Sequence, residues 1–322
     1  MRWRLALAFA AAFLAIAAAP ALALPFPSRP VTIIVPYPPG GSNDTFARVL
    51  GKHLSDLWKI PVIVENRAGA GGIIGASAVA RAAPDGYTLC LLSSSFTTSA
   101  AVQPNLPFDP IRSFTPIAMV ARGPMILTVS NKLGVTSTLE LFAMARKSPG
   151  KLNYGSSGQG STNHFATELL LEAAGVKMTH IPYKGMSPAV TDVIAGNVDV
   201  LVASAPSIYE MVKAGRVRAL GVTSVGPSSV VPGLGPVGQM GAPGYSFELW
   251  WGILAPAGLP REIVTQLNAD VNHVLEMPEM REAIVREGAE PAPMPAAAFA
   301  VTVSSEIAEW KKVARAANIK AE

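Results

Sequence analysis

The chain has 322 residues, half of them apolar, with 28 glycines, 28 prolines and one cysteine. That is ample for two hydrophobic cores and excludes a disordered protein. Its formal charge of +4 falls to +2 when Arg2 and Arg4 are set aside with the leader, too little for the basic face that nucleic acid needs.

Residues Met1 to Ala23 read as a signal peptide: MRWR is a basic start, LALAFAAAFLAIAAA an apolar run, and Ala21-Leu22-Ala23 an A-x-A cleavage site. A retained membrane anchor is the alternative, against which Pro20 and the immediate A-x-A argue. No later stretch is long and apolar enough to span a bilayer. Cys90, within the apolar run Tyr87 to Leu92, reads as a small buried hydrophobe and cannot form an internal disulfide. No cysteine lies near the cleavage point to take a lipid. The expectation is an exported protein, periplasmic in a Gram-negative cell.

In the mature chain, Val31 to Pro36, Val62 to Glu65 and Thr88 to Leu92 read as buried strands, separated by helices at Asn43 to Trp58 and Gly72 to Ala82. The alternation predicts an α/β protein whose sheet is mostly parallel. A second unit follows: strands at Ile126 to Val129, Leu152 to Tyr154, Val198 to Ala203 and Val217 to Val222, with helices at Thr138 to Lys147, Ser161 to Ala174 and Ser207 to Ala214. Between Gly226 and Gly244 the chain is a Gly/Pro/Ser-rich connector. A strand-like run, Glu248 to Leu254, and three terminal helices complete it. In the last helix Lys311, Lys312 and Arg315 interleave with Glu306 and Glu309, as on a solvated face. If these helices return to the first unit, the chain crosses twice between two lobes. The expected lobes are residues 24–122 with 225–322, and 123–224, with a hinged cleft between them.

Two turns carry the chemistry. The first, Tyr37-Pro38-Pro39-Gly40-Gly41-Ser42-Asn43-Asp44, joins a strand to a helix whose first amides point back at the turn. Such a helix start leaves about four N–H groups unpaired and carries roughly half a positive charge, so it holds an anion without lysine or arginine. The second, Asn153 to His164, repeats the arrangement with glycines at 155, 158 and 160 and hydroxyls at Ser156, Ser161 and Thr162. An ordinary Gly/Ser loop with a helix cap explains either turn alone equally well. Two of them, one per lobe at strand ends, point to a shared cleft.

Enzyme motifs fail. Gly69 to Gly75 reads G-x-G-x-x-x-G, with Ile74 where a dinucleotide site needs glycine; Ser156 and Ser157 lack the spacing of a hydrolase elbow. The four histidines, His53, His164, His180 and His273, have no metal-ligand spacing. No cofactor and no metal is expected. His164 reads either as a ligand contact or as a first-turn residue bonded to a neighbour. Asp44 reads as holding its own loop rather than as a base. Asp199 reads either as closing the cleft or as structural, and Trp250 and Trp251 as core at the crossover.

From Pro30 to the end the chain resembles the tripartite tricarboxylate transporter substrate-binding receptors, the Bug family. RPVTIIVPYPPGGSNDTFAR, PVIVENRAGAGGIIGA, PDGYTL, PGKLNYGSSGQGSTNHFATELL, HIPYKGMSPAVTDVIAGNVDV, GRVRALGVTS and WWGILAPAGLP stand in the family's order. The resemblance implies a two-lobed periplasmic binding protein of the Venus-flytrap, type II-like kind, monomeric, handing a small mono- or dicarboxylate to a membrane permease. Carried over by residue, it implies ligand contacts at Tyr37, Gly40, Gly41, Asp44, Gly71, Gly72, Ser93 and Ser95, and at Ser156, Gly158, Ser161, Thr162, His164, Asp199 and Ser204. Two departures stand out. Ser94 to Leu106 lacks the family's N-P-x-L-Y segment, and Val225 to Met240 lacks its usual charges. A secreted esterase using a Ser-rich turn, or a receptor acting on a signalling partner, are the competing functions.

Overall fold

The computed structural model describes residues 26–320. The expected signal peptide, Met1 to Ala23, lies outside the described residues. The first lobe is built from β1 (Val31–Val35), α1 (Ser42–Trp58), β2 (Val62–Asn66), α2 (Ile73–Ala80), β3 (Thr88–Ser93) and α3 (Ser95–Val102). Phe46, Leu50 and Leu54, one helical repeat apart, are fully buried and fasten α1 to the sheet. Cys90 is fully buried in β3, and burial pushes its thiol pKa far up, so it behaves as a hydrophobe.

β4 (Phe114–Val129) then runs for 16 residues, about 50 Å at strand rise, through both lobes. The second lobe follows as α4 (Thr138–Lys147), β5 (Asn153–Ser156), α5 (Thr162–Ala174), β6 (Thr179–Pro182), α6 (Met186–Ala195), β7 (Val200–Ser204), α7 (Ala205–Lys213) and β8 (Arg218–Val222). The chain returns through β9 (Glu248–Pro256), α8 (Arg261–Leu275), α9 (Pro278–Arg286), the short β10 (Glu290–Pro291) and α10 (Ala296–Ala316).

The strand order is β2-β1-β3-β9-β4-β7-β5-β6, with β8 and β10 paired to β4. β2, β1 and β3 are parallel, as are β6, β5 and β7. β9 and β4 run antiparallel to their neighbours. Each lobe is therefore a mixed sheet whose main strands mostly run one way, with β9 reversed in the first lobe and β4 reversed in the second.

α10 adds a third connection. Its first half, with Phe299, Val303 and Ile307, packs in a first-lobe cluster, while Trp310, Val313 and Ala314 pack into the second-lobe core. A helix of 21 residues is about 31 Å long, enough to reach both. The stretch after β8 also differs from the expected division: Val237, Ala242, Tyr245 and Phe247 bury into the second-lobe core. Trp250 and Trp251 are core residues at the crossover.

Candidate functional site

The register of β4 brings the two lobes' strand ends together. β3 ends at Ser93, opposite Trp251, which is opposite Ala121; β7 ends at Ser204, opposite Met125. Four residues of β4, about 13 Å, separate the two levels. Because β3 and β7 run in opposite directions, their carboxyl ends face each other across the middle of β4. The turns that follow β1 and β5 belong to these same ends.

On the first lobe, no side chain caps α1, whose N-cap is Gly41. Asp44 instead folds back on the turn. Its carboxylate accepts from the Gly40 amide at 3.0 Å, Arg48 Nε at 3.0 Å and Asn66 Nδ2 at 2.9 Å. Burial pushes its pKa up, but these three donors outweigh burial and hold the group below its ordinary value. Asn66 also donates to the Tyr37 carbonyl at 3.2 Å, tying the end of β2 to the turn. Tyr37 Oη meets Ser95 Oγ at 2.8 Å, and Ser95 Oγ meets Ser93 Oγ at 3.0 Å. The Tyr37 ring lies on Gly72, whose φ of +96° and missing Cβ permit the contact. Burial keeps the Tyr37 hydroxyl protonated.

On the second lobe, Ser161 stands at the N-cap of α5 without capping it, because its Oγ turns back to the Gly158 carbonyl at 2.6 Å. Ser204 is likewise an N-cap that leaves α7 uncapped and meets Ser207 Oγ at 2.9 Å. By contrast Ser137, away from the site, caps α4 through the Glu140 amide at 3.2 Å. Val102, at the end of α3, lies beside Gly160, so α3 reaches from the Tyr37 cluster to the second turn. The Asn43 side-chain oxygen and the Asn163 side-chain nitrogen, one in the first turn of α1 and one in that of α5, are buried without a hydrogen-bond partner among the described residues. A buried polar group left so costs about 1–3 kcal/mol.

Tyr37, Gly40, Gly41, Asp44, Gly71, Gly72, Ser93 and Ser95 are thus gathered on one side, and Gly158, Ser161, Thr162 and Ser204 on the other. Three of the expected residues lie apart from these two groups. Asp199 precedes β7 and exchanges hydrogen bonds with Asn153 at 2.9 Å, at the opposite end of the strands. It lies near the level of Val129, about 13 Å beyond the cleft end. Ser156 is fully buried, with its Oγ between the Gly158 backbone and His180 Nε2. His164 is only 3% exposed, and its Nδ1 accepts the Gly160 amide at 3.1 Å. The last two build the turn from behind.

His180, Asn66 and Asn163 are the participants that sequence reasoning missed. Tyr154 and His180 are cross-strand partners, Ser156 is two residues on, and His164 and Glu168 share a helix face, so period 2 and period 3.6 converge on one point. Ser156 and His180 lie at 2.6 Å but form no nucleophile pair, since the hydroxyl is sealed from the cleft.

Two mixed α/β lobes joined through shared strands, with uncapped helix starts facing across the joint, define a solute-binding receptor. The chain belongs to the tripartite tricarboxylate transporter receptor family, whose model matches residues 46–319. It is similar to protein BugT of Bordetella pertussis, 36% identical over 94% of each chain. Among solved structures it resembles Rpa4515 of R. palustris with adipate, at 36% identity and a TM-score of 0.74 over 92% of this chain and 99% of that one. It also resembles MatC of Rhodopseudomonas palustris with bound malate, at 31% identity and a TM-score of 0.70 over 89% and 99%. The protein is therefore a receptor and not an enzyme.

Proposed function

We propose that this receptor is exported to the periplasm, binds a small mono- or dicarboxylate between the two turns, and delivers it to a tripartite tricarboxylate-type permease. The supporting observation is the pair of facing turns, each with backbone amides and hydroxyls at a helix start and one side-chain amide atom, Asn43 Oδ1 or Asn163 Nδ2, buried without a partner among the described residues. No Lys or Arg side chain is needed: the helix ends and charge-assisted hydrogen bonds neutralise the carboxylate. The relatives with adipate and malate support a carboxylate as ligand class.

Calorimetry at pH 7.5 with adipate, malate and the dimethyl ester of adipate tests this reading. Saturable one-to-one binding of a free acid, no binding of the ester and no product are expected. Absence of binding across a broad panel of carboxylates would overturn it. Delivery is tested separately, by uptake of the bound acid in cells lacking the gene.

A further inference from the structure

We propose that His164 and His180, stacked behind the second-lobe turn, position the amides of Gly158 and Gly160, and do so only while both rings are neutral. This rests on the reading above, in which the turn that these amides anchor faces a carboxylate.

The two rings stack with centroids 3.8 Å apart and planes 21° apart, and Tyr154 also stacks on His180 at 4.9 Å, its centroid 6.2 Å from that of His164. His180 Nε2 meets Ser156 Oγ at 2.6 Å, and that oxygen accepts the Gly158 amide at 3.2 Å. His164 Nδ1 accepts the Gly160 amide at 3.1 Å. One ring thus supports each glycine amide, His164 directly and His180 through one hydroxyl. An Nδ1 that accepts carries no proton, so the His164 proton belongs on Nε2. Protonating Nδ1 would set N–H against N–H and break the Gly160 bond. Charging both rings would place two cations at stacking distance in a buried site.

The neighbouring titratable groups do not offset this. Glu168, on the same helix face as His164, is hydrogen-bonded to the Tyr154 hydroxyl, and burial raises its pKa. Among the described residues of the C-terminal segment, the backbone oxygen of Lys320 lies near Gly160. Burial, and then the charge of His180, lowers the His164 pKa to about 3; burial lowers that of His180 to about 4. Both rings are neutral at physiological pH, and the support is lost only in acid.

The test uses the full mature chain with adipate and malate as probes. In His164→Asn the amide oxygen occupies the Nδ1 position and does not titrate; in His164→Phe the ring stays and the acceptor goes. Calorimetry at pH 7.5 is expected to show His164→Asn within about threefold of the wild type and His164→Phe at least tenfold weaker, with thermal unfolding recorded for each. Independently of ligand, the Gly158 and Gly160 amide resonances should titrate with the histidine rings between pH 7 and 3. In the His164→Asn, His180→Gln double variant that titration should vanish. Wild-type affinity in His164→Phe, or glycine amides that ignore the rings, would overturn the proposal. If the wild type binds neither acid while the amides still follow the rings, the probe ligands fail and the positioning role stands. If His164→Phe does not fold, the resonance comparison decides.

Discussion

Replacing Asp44 by alanine is expected to cost about 3 kcal/mol of stability and at least tenfold in carboxylate affinity. Its side chain is only 8% exposed and its carboxylate accepts from Gly40, Arg48 and Asn66, Arg48 reaching both oxygens. Hydrogen bonds to a charged group are each worth about 1.5–3 kcal/mol, but donors that can return to water recover part of that. Arg48 is half exposed and the pair is spaced i,i+4, so its share is about 0.5 kcal/mol. The Gly40 amide is exposed and loses about 1, while the Asn66 amide, held between Tyr37 and Asp44, supplies the rest. Asp44→Asn keeps one acceptor and should lose about half as much. The sign with pH follows from the lowered pKa. The contribution is fully present above the unfolded value of about 3.8 and is lost as pH falls through the lower folded value. Urea unfolding by tryptophan fluorescence should therefore show a constant gap between wild type and Asp44→Ala from pH 8 to 5 that closes below about 4. Equal midpoints at pH 7.5 would refute the loop-holding role. So would tighter adipate binding by Asp44→Asn, the result expected if Asp44 merely repels the ligand.

Glu306 is buried in α10, accepting from Trp250 Nε1 at 2.8 Å and Thr97 Oγ1 at 2.9 Å, and burial pushes its pKa up to about 7. A raised carboxyl pKa leaves the fold favoured below the unfolded value and penalised as pH rises through 7, by about 3 kcal/mol at most. Glu306→Gln should raise the unfolding midpoint at pH 8 and leave it nearly unchanged at pH 4.5; no difference at pH 8 would remove this account. Gly75→Ala would put a methyl 2.6 Å from Pro36 Cβ and 2.9 Å from the Arg67 carbonyl. A loss of about 1–3 kcal/mol in denaturant unfolding is expected, together with weaker ligand binding, because α2 must lift away from the residues that follow β1 and β2.

Local elements were legible where one period dominated. α4 falls on the expected residues, Thr138 to Lys147, and α1 within one residue, because each has a single buried stripe and a clear boundary. α3 was not legible: Ser95 to Val102 is Ser/Thr-rich with no amphipathic stripe, and its helix forms because Phe96 and Ala100 find cover in the first-lobe core. β4 was seen only as its last four residues. Pro116, Gly123 and Pro124 look like breakers, yet register shifts after Pro116 and Met119 let the strand continue beside β9. The last helix reads as an ordinary amphipathic stripe, and nothing in its period says that its two halves serve different lobes.

The same distinction separates the parts of the site. Gly-rich turns at helix starts are local patterns, so both turns were legible, as was Asp44 holding its own loop. Which end of the sheet a residue occupies is set by strand direction and pairing. Asp199 stands in an apolar run like the others, but its strand runs away from it toward Ser204, so the cleft lies at the far end. His164 and His180 are 16 residues apart on different elements and meet only because β6 pairs with β5 in the register Tyr154 to His180. That register turns an expected ligand contact into a support for the turn. The cleft itself depends on one non-local fact. β4 pairs antiparallel with β9 in one lobe and with β7 in the other, which reverses β3 relative to β7 and brings Ser93 and Ser204 to face each other. A one-residue slip in either ladder would turn the buried face of a strand toward solvent, so burial on β4, where Ile117 to Ala121 and Ile126 to Val129 are sealed, holds the two turns in opposition.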